Sequence, residues 1–225
     1  MLYTMIQLQQ INEGFSDKSY LFYCFEAMKE LHKSLDWVCF HVEDMDDDDI
    51  QVYERNFIIS LTTMLSKKGF TLPGLINGEV AKSLDAFAPT EIRDKYITLK
   101  RSQKQDYAPK SCYVFPDFLI HESHSLDKAS WNTKNQHIII EAKTNDITNK
   151  NAFFLDLFKL NAYLSYLHFE NAIYLIVQTS ISKINNYLLE YRNQVNFFSD
   201  SINNLYFFIQ EKIDDEPKIY KIKKD

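Results

Sequence analysis

Asp117, Glu141 and Lys143 have the residue types and the spacing from which a metal-assisted hydrolytic centre can be built. Glu141 and Lys143 lie in "HIIIEAKTN" (His137 to Asn145), where three isoleucines run directly into Glu-Ala-Lys. A strand alternates its side chains, so Glu141 and Lys143 share one face while Ala142 points the other way. Asp117 belongs to the only Pro-Asp dipeptide in the chain, inside the apolar stretch "SCYVFPDFLIHE". An ionised carboxylate flanked by Val114, Phe115, Phe118, Leu119 and Ile120 is costly to desolvate unless a cation or donor compensates it. The 24 residues from Asp117 to Glu141 are enough to finish one strand, cross a loop and return along a neighbour. Pairing of those strands would let both acids converge on one divalent ion, with Lys143 beside it. Mg²⁺ suits such a few-carboxylate arrangement and keeps positions open for water and a phosphate oxygen. It would acidify bound water and stabilise negative charge developing on phosphorus. Lys143 would orient that water, or deprotonate it if its own pKa were lowered.

Each residue also has an ordinary reading. E-x-K is common by composition, and Glu216-Pro217-Lys218 fits it too, with Pro at the centre of a turn. Asp117 and Lys143 could form a salt bridge between neighbouring strands. The run Cys24, His32, Cys39, His41 matches none of the usual zinc spacings. The three cysteines include no CxxC pair, and their odd count indicates no disulfide framework.

The elements that must position these residues follow from periodicity. Leu21, Phe22, Phe25, Met28, Leu31, Leu35 and Val38 recur at three- and four-residue steps, which predicts a helix over about Ser19 to Val42. A second helix is expected from Ile50 to Lys68, ending at Gly69, with Glu54 near its beginning. Strands are expected at "DKYITLKRS" (Asp94 to Ser102), at Ser111 to Glu122 and at Gln136 to Thr144. A helix over Lys150 to Phe169, the strand Asn171 to Thr179, the helix "SKINNYLLEYRNQV" and a terminal hairpin complete the order. Gly69 to Pro89 has no clear pattern. The expected class is mixed α/β, with a central mixed β-sheet flanked by helices.

These motifs resemble the PD-(D/E)XK nuclease superfamily, the restriction-endonuclease-like fold. "PDFLIH" followed by "IIIEAK", with "YERNFIISLTTML" before and "DLFKLNAYL" after, carries the resemblance over about Tyr53 to Thr179. It implies an N-terminal helical extension over 1–49 and a nuclease-like domain over 50–225, packed as one unit. It also implies that Asp117 and Glu141 bind Mg²⁺ (with Mn²⁺ as substitute) and that Lys143 serves the water. Glu54 and the backbone carbonyl of Ala142 would complete the metal site, and Lys159 or Tyr163 would support it from the following helix. The implied activity is a metal-dependent endonuclease on nucleic acid, DNA rather than RNA, in restriction or defence. The alternatives are a catalytically silent nuclease-like subunit serving protein or nucleic-acid binding, and an unrelated α/β ligand-binding domain whose E-x-K faces solvent.

A formal net charge of −6 does not advertise a nucleic-acid binder, but Glu43 to Asp49 alone holds six carboxylates, and the remainder is neutral. That cluster reads as a solvated loop ahead of a helix; it has no EF-hand spacing. Lys95, Lys100, Arg101, Lys104 and Lys110, interleaved with Tyr96 and Tyr107, are the candidate phosphate contacts. The loop holding His124, Lys128, Trp131 and Lys134 is a second candidate. Phe22, Tyr23, Phe25, Trp37 and Phe40 could form a protein-partner or homodimer surface. No apolar run reaches membrane-spanning length and the start lacks a signal-peptide pattern, so a cytoplasmic location is expected.

Overall fold

The computed structural model describes residues 6–12, 14–17, 19–34, 54–67, 75–77, 82–103, 112–122, 136–198 and 200–223. Its elements in chain order are β1 (Gln7–Gln10), α1 (Tyr20–Ser34), α2 (Glu54–Lys67), β2 (Leu75–Asn77), β3 (Lys82–Ser83), α3 (Thr90–Gln103) and β4 (Tyr113–Val114). They continue with β5 (Phe118–His121), β6 (Gln136–Lys143), α4 (Lys150–Tyr166), β7 (Asn171–Val177), α5 (Ile181–Gln194), β8 (Leu205–Gln210) and β9 (Lys218–Lys223). Seven strands form one mixed sheet in the order β1-β9-β8-β7-β6-β5-β2, and β3 pairs with β4 in a separate ribbon. The β6–β7 and β7–β8 pairs are parallel, while β5 runs antiparallel to β6. The protein is therefore mixed α/β, with helices on both faces of the sheet.

Two cores sandwich that sheet, and strand alternation divides the residues between them. On one side Leu119, Ile139, Tyr174, Ile176, Phe207 and Ile209 pack with residues of α3, α4 and α5. On the other, Phe118, Ile138, Ile140, Leu175 and Phe208 pack under α1 and α2. This two-sided burial explains why β6 reads as an unbroken apolar run rather than as alternation. Glu141 and Lys143 continue the Ile139 row, so they face α4.

Helix α4 lies between the sheet and α3, which is why Phe153 through Leu164 are all buried and no amphipathic stripe appears. Asn149 caps its start, its side chain accepting the N–H groups of Asn151 and Ala152. His168 ends it in the left-handed region at φ 56°, with the Phe169 N–H returning to the Tyr163 carbonyl. The amino end of β6 is anchored by His137, which sits 3.2 Å from both Glu122 and Glu170 and stacks on Tyr20.

Several expectations are corrected. Residues 94–102 are helical, not a strand: Ile92 and Tyr96 are buried at i, i+4 spacing and Leu99 packs beside them. The β-branched and aromatic content of "YIT" imitates a strand, but the burial period is that of a helix. Ser111 to Glu122 is not one strand either. Pro116, which has no N–H to donate, separates β4 from β5, and Asp117 lies in the bend. Strand β1, absent from the sequence reading, pairs with β9 at the sheet edge. The N-terminal segment thus contributes an edge strand and, through α1, a helix buried against the sheet at Leu21, Cys24, Met28 and Leu31. Phe25, expected on a free aromatic surface, packs edge-on against Phe208 at 5.4 Å. No described helix is long and apolar enough to cross a membrane. The acidic run 43–49, Trp37, Cys39, Phe40, His41 and the loop with His124, Lys128, Trp131 and Lys134 lie outside the described residues.

Candidate active site

Parallel strands β6, β7 and β8 end on the same side of the sheet, where open α/β folds build their ligand crevices. Glu141 and Lys143 stand at that end of β6. The bend before β5 brings Asp117 alongside, because its Oδ2 accepts the Ala142 N–H at 2.8 Å. Glu54 approaches from the first turn of α2, with its Oε2 3.1 Å from Lys143 Nζ. Helix α4 supplies Lys159 and a residue the sequence reading missed, Asp156.

The charged groups form a chain of ion pairs. Lys159 Nζ lies 2.5 Å from Glu141 Oε2 and 2.9 Å from Asp156 Oδ1. Lys143 Nζ lies 3.0 Å from Asp156 Oδ2 and also donates to the Ala142 carbonyl at 3.0 Å. Each ammonium therefore bridges two carboxylates, and Asp156 holds both ammoniums, one on each oxygen. Glu54, Asp117, Glu141 and Asp156 outnumber Lys143 and Lys159 four to two, a surplus of two negative charges when all six groups are ionised.

That surplus falls unevenly. Burial pushes the Glu141 carboxyl well above its usual range, with Asp117 and Asp156 adding to the rise against Lys159. Burial also raises Asp117, although Lys159, the Ala142 N–H and Lys143 oppose it, and it raises Glu54 against Lys143. Asp156 behaves oppositely: burial would raise it, but Lys159 and Lys143 outweigh burial and hold it low. Burial alone would lower Lys143 and Lys159, yet the surrounding carboxylates, Asp156 foremost, hold both up. Lys143 is thus a firmly protonated ammonium in this arrangement, which favours orienting or charge-stabilising work over proton abstraction.

Two buried polar atoms next to these pairs, Glu141 Oε1 and the Tyr163 hydroxyl, have no hydrogen-bond partner among the described residues. Glu141 has a side-chain exposure of 1%, so its free oxygen is shut away from bulk water. Such an atom is expensive unless a ligand satisfies it. The acids offer hard oxygen donors, the set Mg²⁺ or Mn²⁺ takes. Among the described residues no three His, Cys, Asp or Glu side chains are already gathered as a metal cluster. Beside Glu54 and Lys143 a cleft of about 190 Å³ opens, lined by the loop from Thr144 to Asn149 and by Ala152.

The expected nucleic-acid contacts fare differently. Lys95, Lys100 and Arg101 lie on helix α3, where Lys95 pairs with Glu91 at 3.5 Å. Tyr96, expected among the surface aromatics, is a core residue whose hydroxyl donates to the Tyr113 carbonyl. Lys104, Tyr107 and Lys110 lie outside the described residues. Phe115, expected to bury Asp117, is 50% exposed, and Tyr113 two residues earlier is 45% exposed on the same face of the chain. The Phe115 carbonyl accepts from Lys159 Nζ at 3.4 Å, so the main chain that carries these rings reaches the acid–lysine cluster. Asp156 had a visible signal: "DLFK" places opposite charges at i, i+3 within the apolar stretch "AFFLDLFKLNAYL". No family model, curated protein or solved structure matches this chain.

Proposed function

We propose that this chain is a metal-dependent nuclease with a restriction-endonuclease-like core, hydrolysing phosphodiester bonds in nucleic acid, DNA rather than RNA. The observation that carries the reading is the Asp117–Ala142 hydrogen bond, which sets the Pro-Asp carboxylate beside Glu141 and Lys143 at one sheet end. The unpartnered Glu141 Oε1 and the surplus of two negative charges support a divalent cation as the missing partner. Asp117, Glu141, Glu54 and the Ala142 carbonyl would hold Mg²⁺, or Mn²⁺ in its place. When bound, the ion acidifies water and stabilises charge on the phosphoryl oxygens. Lys143, kept protonated by Asp156 and Glu54, would orient that water and meet the developing charge. Tyr113 and Phe115 favour a nucleic-acid substrate over other phosphodiesters, since exposed rings on the chain leading into Asp117 can stack on bases.

The test is to incubate purified protein with plasmid, linear duplex, single-stranded DNA and RNA in Mg²⁺ and in Mn²⁺. Metal-dependent cutting that disappears in Asp117→Asn is expected; no cutting of any substrate with either ion removes the proposal. A second reading, a catalytically silent binding subunit, draws on the fact that each lysine already pairs with two acids. Calorimetric titration separates the two, because the silent subunit would take up neither ion.

A further inference from the structure

Asp156 has no part in the motif that suggested a nuclease, yet it is the most heavily used acid in the cluster. Its two oxygens hold two different lysines, Lys159 at 2.9 Å and Lys143 at 3.0 Å. Those lysines spend their second contacts on Glu141 and Glu54, the acids a divalent ion would need. Metal entry is therefore an exchange of cations, and any ammonium that leaves a carboxylate needs another partner. A buried ammonium without one is strongly disfavoured, and the Lys159 side chain is only 10% exposed.

We propose that Asp156 is the positioning residue for this exchange: it retains Lys159 when a divalent cation takes Glu141. The inference rests on the metal-dependent reading above. Its geometric basis is the difference between local and long-range pairs. Asp156 and Lys159 sit at i, i+3 on one helix, so their contact can persist while α4 and β6 change their mutual pairing. The Lys159–Glu141 contact joins helix to strand and is the one metal would break. Without Asp156, Lys159 would have Glu141 as its remaining carboxylate and would compete with the metal for it.

A calorimetric cycle with Mn²⁺ as the probe tests this on the whole chain, using wild type, Asp156→Asn, Lys159→Met and the double variant. Removing a nearby charge would weaken Mn²⁺ binding by the same factor in either background. Cation exchange instead makes the effect of Asp156 conditional on Lys159. Asp156→Asn should cost about tenfold or more in affinity in the wild-type background, but less than about threefold when Lys159 is already Met. Equal losses in both backgrounds overturn the role of Asp156 and leave the metal reading standing. A wild-type protein that takes up no Mn²⁺ overturns both. If Asp156→Asn fails to fold, Lys159→Met alone decides. Exchange requires it to bind Mn²⁺ about tenfold more tightly than wild type, and unchanged or weaker binding sinks the proposal.

Discussion

Asp117 Oδ2 accepts the backbone N–H of Ala142, so the strand that presents Glu141 also fixes the acid ahead of the neighbouring strand. Ala142 itself points into the opposite core, beneath α1 and α2. The E-x-K spacing thus leaves its middle residue two tasks: an apolar side chain for the far face, and a main-chain donor for Asp117.

An isosteric Asn at position 117 can still accept that N–H, so the fold should survive while the charge is lost. Asp117→Asn is expected to lower metal-dependent cleavage roughly a hundredfold or more, and thermal unfolding should stay near that of wild type. Cleavage of a labelled DNA substrate, alongside calorimetry, checks both. Full activity in Asp117→Asn would remove Asp117 from the chemistry.

The exposed rings of Tyr113 and Phe115 make a separate prediction. Replacing both with Ala should weaken binding of single-stranded DNA by roughly tenfold or more, since each stacked base contributes about 1–3 kcal/mol. Stability should hardly change, because neither ring is part of the core. Fluorescence anisotropy with a short labelled oligonucleotide reads the first effect and chemical denaturation the second. Undiminished affinity would mean that bases do not stack there.

Much of this arrangement was legible in the chain itself, and for definite reasons. The Ile138–Ile140 run marked a buried strand, and the two-residue spacing put Glu141 and Lys143 on one side. Asp117 was found through its Pro, which also causes the break that aims it. Helix α3 was misread because its few buried positions, Ile92 and Tyr96, sit within β-branched and charged residues that mask the helical period. Asp156 was passed over for the opposite reason. In a helix buried all round there is no polar face from which a charged residue stands out, so the i, i+3 pair with Lys159 is its one local mark, and its pairing with Lys143 shows only in the fold. Strand β1 is short and mostly polar, and its place at the edge depends on β9, more than 200 residues away.

The start of α4 borders the cleft beside Glu54 and Lys143, so its cap bears on the site as well as on the fold. Asn149→Ala removes the acceptor for two backbone N–H groups and should destabilise the protein by about 1 kcal/mol. Asn149→Asp keeps an acceptor oxygen and adds a charge that suits a helix N-terminus, so it should largely preserve stability. Urea denaturation midpoints for the three proteins test the ordering. An Ala variant as stable as wild type would show that the cap contributes nothing.

Asp85 lends itself to a pH experiment away from the acid–lysine cluster. Its Oδ2 accepts the Cys112 N–H at 2.8 Å and its Oδ1 accepts from Arg93 at 3.0 Å, tying the loop after β3 to the start of β4 and to α3. The Cys112 N–H holds the carboxyl below its usual range; burial opposes this and Arg93 reinforces it. A carboxyl whose pKa is lower folded than unfolded stabilises the fold at every pH above the unfolded value, about 3.9. That contribution fades as pH falls through the folded value. Asp85→Asn should therefore be less stable than wild type near neutral pH, and the difference should shrink once the pH drops below about 4. Urea midpoints measured for both proteins from neutral to acid pH test this. A difference that stays constant across the series would mean that the Asp85 charge does not contribute to stability.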